Sequence, residues 1–173
     1  MAGTLVTRDH DDGRTRSQAV YSPCMGYRYA LTRVWDAAPP LVCVMLNPST
    51  ATELANDPTI HRCEVRARRG GFGGLRIANL YGFRATDPRA LRQVADPVGP
   101  DNDRVLLSLL AGAGAVLAGW GTHGAWQDRG AGVARLLRDS GAALVTLGQT
   151  KDGHPRHPLY VGYAQDFMEW RDD

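Results

Sequence analysis

The densest set of chemically useful side chains in this 173-residue chain lies near its end, where Lys151, His154, Arg156 and His157 fall within seven residues behind an apolar run. A cationic loop of this kind suits gripping phosphate, or stabilising negative charge that develops on a leaving group. Asn47-Pro48-Ser49-Thr50 ends an earlier apolar run and offers an amide, a rigid proline and two hydroxyls. Backbone N–H groups at such a strand end can hold an anion or a carbonyl oxygen. Asn47 can orient a water molecule there, or serve with Thr50 only in turn and capping bonds. The stretch Asn79 to Pro88 combines Tyr81 and Phe83 with Arg84, a mixture suited to stacking on a planar ring beside a phosphate, although both aromatics equally suit a core. Trp120-Gly121-Thr122-His123 reads as a glycine turn into a helix, which lets a ligand approach the backbone with Trp120 or His123 as a wall.

Other chemistries lack their patterns. Neither the G-x-G-x-x-G spacing nor the P-loop is present, so nothing supports NAD or ATP. His154 and His157 stand at i and i+3 without a carboxylate or cysteine set to complete a metal site, and no cofactor is expected. Paired carboxylates and a nucleophile–histidine–acid pattern are also missing, which keeps a purely binding function open. Asp57-Pro58, Asp87-Pro88 and Asp101 read as helix caps, and Cys63 as a small buried apolar group.

These loops need elements to position them. Leu41 to Leu46, Leu75 to Leu80, Ala115 to Ala118 and Ala143 to Leu147 are short apolar runs, as expected of strands covered on both faces. Helical patterns separate them at Ile60 to Arg69, Asp101 to Ala111 and Ala125 to Arg138. Such alternation predicts a mainly parallel four-stranded sheet between helices, with ligands collecting outside the carboxyl ends of the strands. Ahead of it, Ala19 to Tyr21 and Tyr27 to Trp35 predict an antiparallel hairpin. Residues 1–17 read as a flexible tail, and 18–173 as one α/β domain.

Composition agrees with that size and restricts the setting. A hydrophobic content of 43% can fill one core, and a net charge of +2 does not demand a polyanionic partner. Lys151 is the only lysine, so almost all of the positive charge is arginine, whose planar fork suits phosphate and base contacts. Three cysteines without a C-x-x-C pair argue for a reducing, cytoplasmic setting. The charged first 17 residues are not a signal peptide, and no apolar run approaches a membrane span.

Taken together, Met45 to Ala51, Asn56 to Ile60, Asn79 to Pro88, Asp96 to Asp103 and Gly153 to Val161 resemble a bacterial family of unknown function (DUF1643-like) over about residues 18 to 163. More distantly, Leu46-Asn47-Pro48, Ile77-Ala78-Asn79-Leu80, Arg84-Ala85-Thr86 and Thr150 to His157 resemble the uracil-DNA glycosylase superfamily, above all its mismatch-specific branch. That resemblance implies a three-layer α/β/α sandwich and a nucleobase pocket in which Asn47 orients the attacking water and the late loop grips nucleic acid. The four cysteines of the iron–sulfur glycosylases have no counterpart, so no iron–sulfur cluster is expected, and Ser49 stands where the mismatch-specific branch has glycine. The expectation is an N-glycosidic bond hydrolase acting on a base in DNA or on a nucleoside or nucleotide. In it Asn79 reads the base edge, Tyr81 or Phe83 stacks, and His154 or Lys151 stabilises the departing base, while Pro48, Ser49, Thr50, Arg84, Trp120, His123, Arg156 and His157 complete the substrate-binding set. The alternative is a non-catalytic nucleotide or nucleic-acid binding module that uses the same loops.

Overall fold

The computed structural model describes residues 3–171. Its elements follow in chain order as β1 (Val6–Asp11), β2 (Arg16–Tyr21), β3 (Arg28–Val34), β4 (Leu41–Met45), α1 (Pro58–Arg69), β5 (Gly74–Asn79), α2 (Asn102–Ser108), β6 (Ala115–Ala118), α3 (Arg129–Asp139), β7 (Leu144–Thr146) and β8 (Met168–Glu169). Short 3-10 turns occupy Pro88–Gln93, Thr122–Asp128 and Pro158–Tyr160. Among the described residues no helix is long and apolar enough to cross a membrane.

The strand period decides which helix each residue meets. All of β4 is buried, yet Leu41, Cys43 and Met45 face Ile60, Cys63 and Ala67 of α1, while Val42 and Val44 face Leu106 of α2 and Val133 and Leu137 of α3. A strand covered on both faces therefore has no polar positions, which is why it reads as an unbroken apolar run. Helix α1 starts where Asp57 accepts the Ile60 N–H at 2.9 Å and Pro58 takes the first helical position. Arg66, Arg68 and Arg69 fill its last turn, where the helix dipole favours cations.

One eight-stranded sheet runs in the order β1-β2-β3-β5-β4-β6-β7-β8. The pairings β5·β4, β4·β6 and β6·β7 are parallel. Those of β1·β2, β2·β3, β3·β5 and β7·β8 are antiparallel. The sheet is thus mixed rather than mainly parallel. What reads in sequence as a hairpin is a three-stranded meander joined edge-on to β5 through Leu31↔Ile77 and its neighbours. Where a flexible tail over residues 1–17 was expected, Val6–Asp11 is a strand paired with β2.

Two further boundaries moved for local reasons. Helix α3 begins at Arg129 instead of Ala125, because Gln127 and Asp128 take positive φ angles of 55° and 54° that an α-helix does not admit. Strand β8 pairs with Val145 and Thr146 and carries only two exposed residues, too short a segment to show alternation.

Strand order fixes where a crevice opens. From β4 the chain crosses through α1 to β5 on one side, then returns through α2 to β6 on the other. The loops that leave β4 and β6 therefore diverge, and a ligand can enter between them.

Candidate functional site

A cavity of about 740 Å³ lies at that divergence, within the usual range for small-molecule sites. The loop after β4 contributes Asn47, Ser49 and Thr50; the start of α1 contributes Asp57 and Thr59; the loop after β6 contributes Trp120, Gly121, Thr122 and His123; and the loop after β7 contributes Thr150, Arg156, His157 and Tyr160. Ala85 and Thr86 close the side next to β5.

Asn47 stitches two of these loops together. Its Nδ2 donates to the carbonyl of Pro48 at 3.0 Å and to that of Ala85 at 2.7 Å. Both amide hydrogens are thereby engaged, and Oδ1 is left as the unused acceptor of a residue in the cavity wall. Pro48 is buried and does not reach the wall; its carbonyl holds Ala85 N–H at 2.9 Å as well.

Asp57 does more than cap a helix. One carboxylate oxygen accepts from Ile60 and the other from the Ala51 N–H at 3.3 Å, which fixes the carboxylate at the cavity wall with lone pairs to spare. Beneath it, two arginines of β3 hold the same loop from inside. Arg28, fully buried, donates to the Ala51 carbonyl at 2.5 Å. Arg33 donates to the Thr52 carbonyl at 2.7 Å and to Asn56 Oδ1 at 2.9 Å. Burial lowers the pKa of Arg28 to about 10 against the opposing pull of Asp57, so the guanidinium stays charged at neutral pH. Tyr21 completes this layer by donating to Glu53 at 2.8 Å, and both side chains are buried.

His157 is the half-buried imidazole of the wall. Desolvation drives its pKa down to about 4, with Asp57 pulling the other way. Its Nδ1 accepts the Leu159 N–H at 3.3 Å, so the neutral ring carries its hydrogen on Nε2. The site therefore presents a neutral imidazole donor, a carboxylate and an amide oxygen to one space, together with the hydroxyls of Ser49, Thr50, Thr59, Thr86, Thr122 and Thr150. Trp120, buried against Trp170 at a ring separation of 5.5 Å, supplies an apolar surface.

Gly121 is what lets the loop after β6 run along this floor. It adopts φ +71° and ψ −168°, a region that only glycine enters freely, and donates its N–H to Pro155 at 2.8 Å.

Several residues that looked suited to chemistry lie elsewhere. Lys151 and His154 belong to a tight hairpin in which Thr150 N–H donates to the His154 carbonyl at 2.7 Å and Gly153 N–H to the Thr150 carbonyl at 2.9 Å. That turn carries Lys151 to an exposed tip, and neither side chain lines the cavity. Asn79 is buried at the end of β5, where its carbonyl accepts from Asn102 of α2 at 2.9 Å. Tyr81 is buried and donates to the Trp126 carbonyl at 3.0 Å. Phe83 packs edge-on against Tyr27, and Arg84 lies over the Tyr21 ring while donating to Met25 at 3.2 Å. The chain after β5 is drawn toward β3 by the Arg28 N–H bond to the Gly82 carbonyl, so only Ala85, Thr86 and Pro88 come back to the wall.

The structure adds Asp57, Thr59, Thr86, Thr122 and Tyr160 to the site. The available signal for the first two was topological, since the N-terminus of a crossover helix sits at the carboxyl ends of the strands. Among the described residues no group of three or more His, Cys, Asp and Glu side chains is placed to hold a metal ion.

Searches of curated proteins and of solved structures returned no similar protein. Residues 28–159, from the first buried arginine of β3 to the turn that follows His157, match a family described as a protein of unknown function, DUF1643, and with well over half of its length matched the chain belongs to that family.

Proposed function

We propose that the chain hydrolyses an N-glycosidic bond to a nucleobase, held in DNA or in a nucleoside or nucleotide. The observation that carries this reading is that Asn47, with Oδ1 unused, the Asp57 carboxylate and the neutral His157 imidazole line one cavity. Water held by Asn47 and Asp57 attacks the anomeric carbon as the C–N bond breaks, and the bonding pair leaves with the base. One water proton passes to Asp57, and the Nε2–H of His157 meets the negative charge on the departing base. A neutral imidazole suits this task because a fixed donor stabilises the anion without a competing titration near neutral pH. Trp120 and the hydroxyls provide an apolar face and polar contacts for base and sugar.

Central parallel strands, helices on both faces and an Asn-Pro loop at a strand end support a uracil-DNA-glycosylase-like arrangement. The second reading, a binding module without turnover, draws on a different fact: both oxygens of Asp57 already accept backbone N–H bonds.

Chromatography of free base released from single- and double-stranded DNA with normal and damaged bases, and from nucleosides and nucleotides, separates the two. Release by the native protein that falls at least about 100-fold in Asn47→Ala establishes hydrolysis. Folded native protein that binds these compounds without release establishes the binding module.

A further inference from the structure

One large aromatic at the cavity mouth has no cover. Tyr160 is 82% exposed, although it lines the same cavity as the half-buried His157 three residues earlier. Its turn is pinned on both sides. On one side Tyr160 N–H donates to the His157 carbonyl at 3.0 Å, and His157 Nδ1 accepts from Leu159. On the other, Arg62 and Arg66 of α1 each donate to the Val161 carbonyl at 3.1 Å, and Arg66 also bonds Gly162 at 2.7 Å and Gln165 at 2.9 Å. The guanidinium groups of Arg62, Arg66 and Arg69 lie over the ring of Tyr163 at 5.0, 5.5 and 4.7 Å, which pins the chain beyond the turn. The Tyr160 ring is held 5.8 Å from that of His157 and presents itself to solvent from a fixed base.

A cation accompanies it on the same loop. Arg156 is exposed, lines the cavity, and makes no ion pair or side-chain hydrogen bond among the described residues. A planar ring at the mouth of a cavity large enough to admit a base, with an unpaired guanidinium on the same loop and the same wall, suits two consecutive bases and the phosphate that joins them.

We propose that the site engages single-stranded nucleic acid across the rim, one base entering the cavity, the phosphodiester meeting Arg156, and the neighbouring base stacking on Tyr160. The proposal rests on the nucleobase reading of the cavity but not on turnover. A single strand fits better than a duplex because its bases are already free to leave the stack.

Fluorescence anisotropy with a labelled oligothymidylate, an oligouridylate of equal length and thymidine monophosphate as competitor tests it. Tyr160→Ala is expected to weaken oligomer binding about tenfold, and at least fivefold more than mononucleotide binding, while Tyr160→Trp keeps the native affinity within about threefold. Arg156→Gln is expected to reduce the salt-dependence slope by about one. The deoxy and ribo arms identify the sugar. Equal losses for oligomer and mononucleotide, or no oligomer binding by folded native protein, overturns the proposal. Tyr160-dependent binding without base release would remove hydrolysis and keep this inference, so the two failures are distinct.

Discussion

At the scale of single residues, His157 links chemistry to stability. Its pKa falls to about 4 in the folded chain, so between its unfolded value near 6.5 and about 4 the unfolded chain binds the extra proton. The contribution of a neutral His157 is complete above pH 6.5 and is lost as pH falls toward 4, by at most about 3 kcal/mol. Urea denaturation of native protein and His157→Gln from pH 7.5 to 4 should show the native curve falling more steeply across that window; parallel curves would refute the assignment. Asp57 offers a second test at this scale. Asn keeps the helix cap through its one oxygen but loses the acceptor for Ala51 N–H and the charge facing Arg28, so Asp57→Asn should lower the unfolding free energy by about 1–3 kcal/mol in urea denaturation while the folded variant loses base release by at least about 100-fold. Strand-end position made Asn47, Ser49, Thr50, Trp120, His123, Arg156 and His157 legible in the sequence, and each lines the cavity. Lys151 and His154 lie outside that lining because Asp152-Gly153 is itself a turn signal, and the hairpin it closes carries them off the wall.

Between residue and molecule stand the elements, and the informative one is β3. Its arginines hold the loop after β4 by hydrogen bonds to Ala51, Thr52 and Asn56. Arg33→Ala removes charge-assisted bonds to that loop and should lower the unfolding free energy by about 2 kcal/mol, read by urea denaturation. Proteolysis should speed up between residues 47 and 57 in the same variant, and an unchanged cleavage rate there would place the loop's rigidity elsewhere. Alternation along β3 announced a strand, but its partner was hidden. Pairing with β5 joins a meander to a parallel unit, and neither strand's own pattern of apolar residues records which neighbour it meets. That hidden pairing also explains Tyr81, Phe83 and Arg84, whose loop follows β3 away from the cavity.

For the molecule as a whole, the sheet has a protected centre and two unequal edges. Native-state hydrogen exchange should be slowest in β4, β5 and β6, which are paired on both sides and covered by α1 on one face and by α2 and α3 on the other. It should be fastest in β8 and along the outer edge of β1, where nearly every side chain is exposed. Equal protection of β1 and β4 would contradict this layering. The central strands were readable because burial on both faces writes itself as continuous apolar sequence; β1 and β8 were not, since exposed edge strands look like ordinary polar chain.

The arginines of β3 also set the limits of portability. A designer who wished to transplant the cavity into another scaffold would be tempted to begin at Leu41, where the parallel unit starts, and such a graft would leave the Ala51 and Thr52 carbonyls without their donors. A transferable module has to reach back past Arg28, where the family match begins, to Tyr21, the donor to the buried Glu53. Cut there, the wall travels with the strand that holds it up.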